Sequence, residues 1–186
     1  MEKSEILKKE IKHKGRFLQF AEIFFIDHEG NKKIWESVER KNNNIVAIVA
    51  TDNKGKFILV EQYRPPIARL PKNFASDPMT QNDGMVIDFP AGLVDEDRED
   101  EEEAARRELQ EEAGYFAEVF ERLFAGPVSA GLSNERLTVF SASGLEFVGK
   151  KDGHEERGII VHAIAKVDIY GWLLEQEKKG KTVDVK

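Results

Sequence analysis

Aromatic and β-branched residues are concentrated from Phe17 to Ile26 and again from Ile34 to Glu39, with the polar stretch Asp27-His28-Glu29-Gly30-Asn31 between them. Two strand-forming runs joined by such turn residues predict a β-hairpin. The first ten residues, MEKSEILKKE, are dominated by charge and predict a short helix or a loose arm. Lys41-Asn42-Asn43-Asn44 then breaks the pattern. It divides a small N-terminal hairpin unit, residues 1–43, from a main domain, residues 44–186.

Apolar runs at Ile45–Ala50 and Phe57–Val60 flank Thr51-Asp52-Asn53-Lys54-Gly55, which signals a second hairpin. Pro65 and Pro66 end its second strand. Arg69–Gly84 carries Pro71, Pro78 and many polar groups, the composition of a long surface loop. A strand at Met85–Phe89 and a turn at Pro90-Ala91-Gly92 follow. Asp100–Ala113 has no glycine or proline and is rich in helix formers, so it predicts one helix capped by Gly114. Strands are expected near Ala117–Phe124, Arg136–Ser141 and Gly158–Ala165. Val167–Lys179 places Ile169, Trp172 and Leu173 on one helical face. The pattern is α+β, with strands before and after one central helix.

The 186 residues suffice for one domain with a sizeable core. Hydrophobic residues make up 40% and charged residues 34%, as in a globular chain. No apolar run reaches the length of a bilayer span, and the charged N-terminus lacks the apolar stretch of a secretory signal. There is no cysteine, so disulfides and thiolate metal sites are excluded. These features lead to the expectation of a cytoplasmic protein. A formal net charge of −7 argues against a duplex nucleic acid partner, which needs a basic face. A small phosphorylated ligand is still allowed, because a divalent ion and a few arginines reverse the local sign.

The candidate chemistry lies in the central helix. Glu108, Glu111 and Glu112 stand at i, i+3 and i+4, which puts their carboxylates on one α-helical face. Three such groups repel one another unless a hard cation sits among them, and magnesium favours carboxylate and water oxygens. A solvated acidic face is the simpler explanation of clustered glutamates. It suffices for Glu101, Glu102 and Glu103. The surroundings of the later trio favour a metal.

Those surroundings resemble the Nudix hydrolase signature. That signature runs Gly, five residues, Glu, seven residues, Arg-Glu, an apolar residue, any residue, Glu-Glu, any residue, Gly and an apolar residue. Glu99, Arg107, Glu108, Leu109, Glu111, Glu112, Gly114 and Tyr115 fit it. Gly92 lies one residue too far from Glu99, which reads as an insertion in the loop before the helix. The resemblance implies a Nudix fold, a mixed β-sheet sandwiched by helices (α/β/α) with a small N-terminal β-strand subdomain. It implies metal ligation by Glu108, Glu111, Glu112 and the backbone carbonyl of Ala91. It also implies a Glu99–Arg107 pair that holds the loop against the helix. Magnesium is the expected cofactor, with manganese as the alternative.

The rest of the chain resembles the ADP-ribose and ADP-sugar pyrophosphatase branch. The likeness is carried by Lys14-Gly15-Arg16-Phe17, Trp35-Glu36-Ser37-Val38-Glu39-Arg40, Glu61-Gln62-Tyr63-Arg64-Pro65-Pro66 and Asp88-Phe89-Pro90-Ala91-Gly92. It implies a base stacked on Trp35 and Phe17, Arg40 and Arg64 on the diphosphate, and Gly92 and Ser133 at the substrate. Flat bases suit aromatic faces, and guanidinium forks suit phosphate oxygens. The plainer readings are hairpin packing for the aromatics and surface ion pairs for the arginines. Ser129–Glu135 has Ala130 where many relatives carry proline, which leaves the choice of nucleotide sugar open.

Catalysis is assigned to Glu112 and Glu111 with a base from the loop at 149–158. Glu156 is the first choice and Glu155 the second, with His154 competing. The branch further implies a homodimer formed through the N-terminal unit, with Phe17 and Trp35 across the interface from the metal helix, and a further helix after Asp184. The expected function is magnesium-dependent hydrolysis of a nucleoside diphosphate sugar to a nucleoside monophosphate and a sugar phosphate. The alternatives are a non-catalytic sensor of an ADP-ribose-like ligand and a hydrolase of dinucleoside polyphosphates. An RNA cap fits the acidic charge least.

Overall fold

The computed structural model describes residues 3–68, 83–95, 97–150 and 158–184. Strands β1 (Glu5–Lys14), β2 (Gln19–Ile26) and β3 (Lys32–Glu39) form an antiparallel sheet of their own. β2 and β3 are the hairpin read from the sequence. Asp27 shapes its turn, its carboxylate accepting from the N–H groups of Glu29 at 3.0 Å and Asn31 at 2.9 Å. The N-terminal residues correct the expectation of a helix or loose arm, because β1 pairs with β2 along its length. Lys8, Glu10 and Lys12 serve one sheet face, while Lys9 donates to Glu39 of β3 at 2.9 Å. Lys8 lies opposite Phe24 and Glu10 opposite Glu22. Lys8 and Lys12 cover the Phe24 ring with Nζ 4.4 and 5.9 Å from its centre. Long basic stems over an aromatic ring shield it while their charges stay in water.

The main body holds two four-stranded sheets. In chain order its strands are β4 (Asn44–Ala50), β5 (Lys56–Tyr63), β6 (Met85–Asp88), β7 (Ala91–Leu93), β8 (Tyr115–Pro127), β9 (Arg136–Phe147), β10 (Ile160–Ala165) and β11 (Thr182–Val183). One sheet has the order β7-β4-β9-β8 and the other β10-β5-β6-β11. The predicted second hairpin is therefore corrected. Its turn exists, with Asp52 N–H donating to Lys56 O at 2.9 Å. Beyond it the strands part: β4 pairs with β7 and β9, and β5 with β6 and β10. Val46, Ile48, Ile58 and Val60 are all fully buried in one core. Sharing a core face to face requires two layers, whereas a hairpin would set the strands edge to edge. Pro90-Ala91-Gly92 is likewise more than a turn, since Ala91–Leu93 is β7, with Gly92 opposite Val46.

Helix α1 (Glu101–Glu108) starts in a capping box. The Asp100 carboxylate accepts from the N–H groups of Glu102 and Glu103 at 2.9 Å, and the Glu103 carboxylate accepts from the Asp100 N–H at 3.0 Å. Such a box satisfies donors that the first turn leaves open. Ala104, Ala105 and Leu109 are fully buried against β4 and β5. Burying a leucine contributes about 2 kcal/mol. The single predicted helix is corrected at its end. α1 stops at Glu108, and Leu109–Ala113 forms a π turn closed by Gly114 at φ +79°. A left-handed residue favours glycine, and here a Cβ would also strike the Phe147 ring. Helix α2 (Ile169–Lys178) packs Trp172 against His162 of β10, with ring centres 4.9 Å apart. No described helix is long and apolar enough to cross a membrane. The architecture is an α+β arrangement of mixed sheets and two described helices.

Residues 69–82 of the long predicted loop lie outside the described residues, as do His154, Glu155 and Glu156.

Candidate active site

Arg107, on the last turn of α1, organises the carboxylates. Its Nε and Nη2 donate to the two oxygens of Glu99 at 3.0 and 2.7 Å. Nη1 donates to Glu108 at 2.7 Å and Glu111 at 2.9 Å, and Nη2 also reaches the Leu93 carbonyl at 3.0 Å. Its hydrogen bonds to Glu99 are the main reason that the guanidinium is held further above its ordinary range. The same contact holds the Glu99 carboxyl low. The stretch between Gly92 and Glu99, one residue longer than the signature, turns at Asp95. The carbonyl of Asp95 accepts from Arg98 and Glu99 N–H at 2.8 and 3.0 Å. The Asp95 N–H in turn donates to the Glu99 carboxylate at 3.0 Å.

Glu112 points elsewhere. It lies in the π turn, is 5% exposed, and accepts from the Ala91 N–H at 2.9 Å and from Gln62 Nε2 at 3.0 Å. Burial pushes its carboxyl up to about 7, and the negative charge of Glu108 adds to this against the opposing pull of Ala91, Gln62 and Arg64. Gly92 lets the buried Glu108 approach β7, because a Cβ at Gly92 would overlap the Glu108 carboxylate.

The donor chemistry fits a hard divalent cation. Glu108 and Glu112 offer carboxylate oxygens beside the Ala91–Gly92 backbone, Glu111 adds a third on Arg107, and the chain has no thiol. Burial is the main cause of the raised Glu112 carboxyl, with the charge of Glu108 adding to it, and a nearby cation would favour its ionised form. Among the described residues no three His, Asp or Glu side chains converge as a ready-made ion cage. Arg107 holds Glu108 and Glu111 in the present arrangement.

The residues expected at a nucleotide sit around the β3 end. Trp35 is half exposed, and its Nε1 donates to the Gly131 carbonyl of the same chain at 2.8 Å. Ser133 forms a parallel bridge with Val38. It lines a cavity of about 220 Å³ together with Arg40 and Glu135. A neighbouring cleft of about 370 Å³ brings Phe17 and Arg40 together with Arg16 and Lys41. Phe17 is 76% exposed, with the Arg16 guanidinium 4.9 Å over its ring. Trp35 lines neither space. Arg40 Nε is 2.8 Å from Glu135, yet its buried N–H lacks an aligned acceptor. Arg64 is exposed at the end of β5, near enough for its charge to act on Glu112.

The NUDIX domain family matches residues 41–159. The chain belongs to the Nudix family. A Mus musculus protein named ADP-sugar pyrophosphatase is 31% identical over 138 residues, which cover 69% of this chain and 56% of that protein. A Yersinia enterocolitica protein named GDP-mannose pyrophosphatase is 31% identical over 143 residues, covering 75% of this chain and 69% of that protein. This Nudix chain spans about half the length of the first curated relatives that it matches. A crystal structure of an ADP compounds hydrolase has a TM-score of 0.75 over 94% of this chain and 84% of that one, at 20% identity. That last likeness is one of fold.

Two residues of this Nudix site were not singled out from the sequence. Asn134 clamps the Arg40 backbone, accepting its N–H at 3.2 Å and donating to its carbonyl at 3.1 Å. Gln62 holds Glu112. The available signal was alternation along β5, which puts Gln62 and Arg64 on one face.

Proposed function

We propose that this Nudix protein hydrolyses the diphosphate bond of a nucleoside diphosphate sugar, with ADP-ribose or another ADP-sugar preferred. The products would be a nucleoside monophosphate and a sugar phosphate. The observation that carries the reading is the excess of carboxylate at the end of α1, set beside Gly92 and within reach of the charge of Arg64. The name of the mouse relative supports the substrate class.

Glu108, Glu111 and Glu112, with the Ala91 carbonyl, would hold magnesium or manganese. A bound divalent ion activates water and screens phosphorus oxygens. Arg64 and Arg40 place guanidinium charge on the diphosphate. Phe17 and Trp35 offer aromatic faces to the base, and Gly92 and Ser133 give close backbone and hydroxyl contact. Without a metal, burial pushes the Glu112 carboxyl up to about 7, and a bound cation would hold it ionised. Glu156 or Glu155 serves as base from the loop at 149–158. The N-terminal unit, residues 1–43, joins two copies as a homodimer in the cytoplasm.

Phosphorus NMR of ADP-ribose, ADP-glucose and GDP-mannose incubated with the protein and magnesium tests the reading. Appearance of the monophosphate and sugar phosphate from an ADP-sugar is the expected result. Preference for GDP-mannose would move the specificity toward the Yersinia relative's name. Tight binding without products would favour a sensor, and a folded protein inert toward all three would sink the hydrolase.

A further inference from the structure

We infer that Gln62 is a positioning residue for the cation site, setting the Glu112 carboxylate in place without neutralising it. The inference rests on the proposed reading of Glu112 as a metal ligand. An ionised carboxylate has about four lone-pair sites. In Glu112 one oxygen accepts from Gln62 Nε2 at 3.0 Å and the other from the Ala91 N–H at 2.9 Å. Two donors on different oxygens fix both the plane and the rotamer of the group, and each oxygen keeps a lone pair for another partner. The donors come from different strands, Gln62 from β5 and Ala91 from β7. The carboxylate is therefore held between the two sheets before any ligand arrives.

The chemical type of the donor matters. Glu108 and Glu111 are engaged by the charged Arg107. Glu112 is engaged by two neutral N–H groups, which bring no countercharge of their own. A lysine at position 62 would supply a donor too, but it would pair with Glu112 and compete with the cation. An amide orients and leaves the charge available. Alternation along β5 sends Gln62 toward the π turn, while its neighbour Glu61 turns to His162 and Lys181 on the other face.

The test uses Mn2+ alone as the probe, titrated by calorimetry or electron paramagnetic resonance into the full chain without substrate. Gln62→Met keeps the size of the side chain and removes the donor. Loss of a group that orients a metal ligand weakens affinity roughly 10- to 100-fold, and a Kd for Mn2+ raised into that range is the expected result. At saturating metal, kcat for ADP-ribose should fall while KM stays within about twofold, since Gln62 would act on the ligand of the ion and not on the nucleotide. Gln62→Lys is the second variant. It should raise the melting temperature through the new pair with Glu112, yet weaken Mn2+ binding more than Gln62→Met does. Mn2+ binding unchanged in Gln62→Met, or strengthened in Gln62→Lys, overturns the inference alone. Absence of Mn2+ binding by the unaltered chain overturns the cation reading and this inference with it.

Discussion

Two buried acidic clusters lie on opposite faces of β5, and their charge balances are opposite. Glu61, 1% exposed, meets His162 at 2.8 Å and also Lys181, so one carboxylate has two basic partners. One residue further on, Gln62 turns to Glu112 in a region where Glu99, Glu108 and Glu111 share a single arginine, Arg107. The first cluster is closed within the chain. It ties β10 and the residue before β11 to β5, and so fastens the C-terminal segment to the sheet. In the second, among the described residues, Arg107 is the basic group that bonds Glu99, Glu108 and Glu111 together. A buried cluster that completes its own charge is a fastening, whereas the carboxylates around Arg107 suit the cation proposed above.

The two carboxyls carry this difference in their protonation. Burial pulls the Glu61 carboxyl up, but Lys181 and His162 outweigh it and hold the group below its ordinary value. Burial and Glu108 push Glu112 up to about 7.

The largest effect is expected from Glu112→Gln. Turnover of ADP-ribose with magnesium should fall roughly 10³-fold, about 4 kcal/mol, while the melting temperature of the metal-free protein holds or rises because a repelled buried charge is gone. Steady-state kinetics and calorimetry check both halves, and an intact kcat would break the distinction between the clusters. Glu61→Gln should do the reverse. It leaves Lys181 without its buried partner and should cost about 3 kcal/mol of stability in urea denaturation, with Mn2+ affinity unchanged.

The pH dependence of stability sharpens the contrast, because the two signs are opposite. Glu112 has a folded value of about 7 against an ordinary 4.5, so the native state retains a proton that the unfolded chain has lost. In EDTA the protein should lose stability as pH rises from 4.5 to about 7. The loss is at most about 3 kcal/mol. Magnesium at neutral pH should remove that slope. Glu61, with its lowered folded value, contributes stability that is present above 4.5 and lost as pH falls below it. Melting temperatures across the pH range with and without magnesium resolve the two limbs. A flat metal-free profile from 4.5 to 7 would remove the charge argument for Glu112. The smallest effect belongs to the nucleotide side. Trp35→Ala should raise KM roughly tenfold, about 1.4 kcal/mol, as loss of one stacked base predicts, with kcat nearly unchanged in initial-rate assays.

The elements most legible in the sequence are those whose partners are close in the chain. The β2–β3 hairpin could be read from its own turn residues, and the start of α1 from its helix formers. The spacing of Arg107, Glu108, Glu111 and Glu112 was legible for the same reason, since helical neighbours are sequence neighbours. β1 was not, because its charged residues suit a helix as well as a solvated strand, and only pairing with β2 decides between them. The parting of β4 and β5 was hidden too. Their turn signals a hairpin, but the core they share sets them in two layers.

By itself the sequence determined a Nudix-type chain with an acid-rich helix end, because the signature is local and its spacing survives in any structure that keeps the helix. Only the tertiary structure decided that the helix ends in a π turn, that Arg107 engages Glu108 and Glu111, and that Glu112 faces inward to Gln62 and Ala91. Gln62 lies 50 residues from Glu112 and Glu61 lies 120 from Lys181. Contacts over such separations depend on which strands share a sheet and which face each side chain takes. Periodicity along the chain states that a face exists, and the packing of distant elements chooses what it meets.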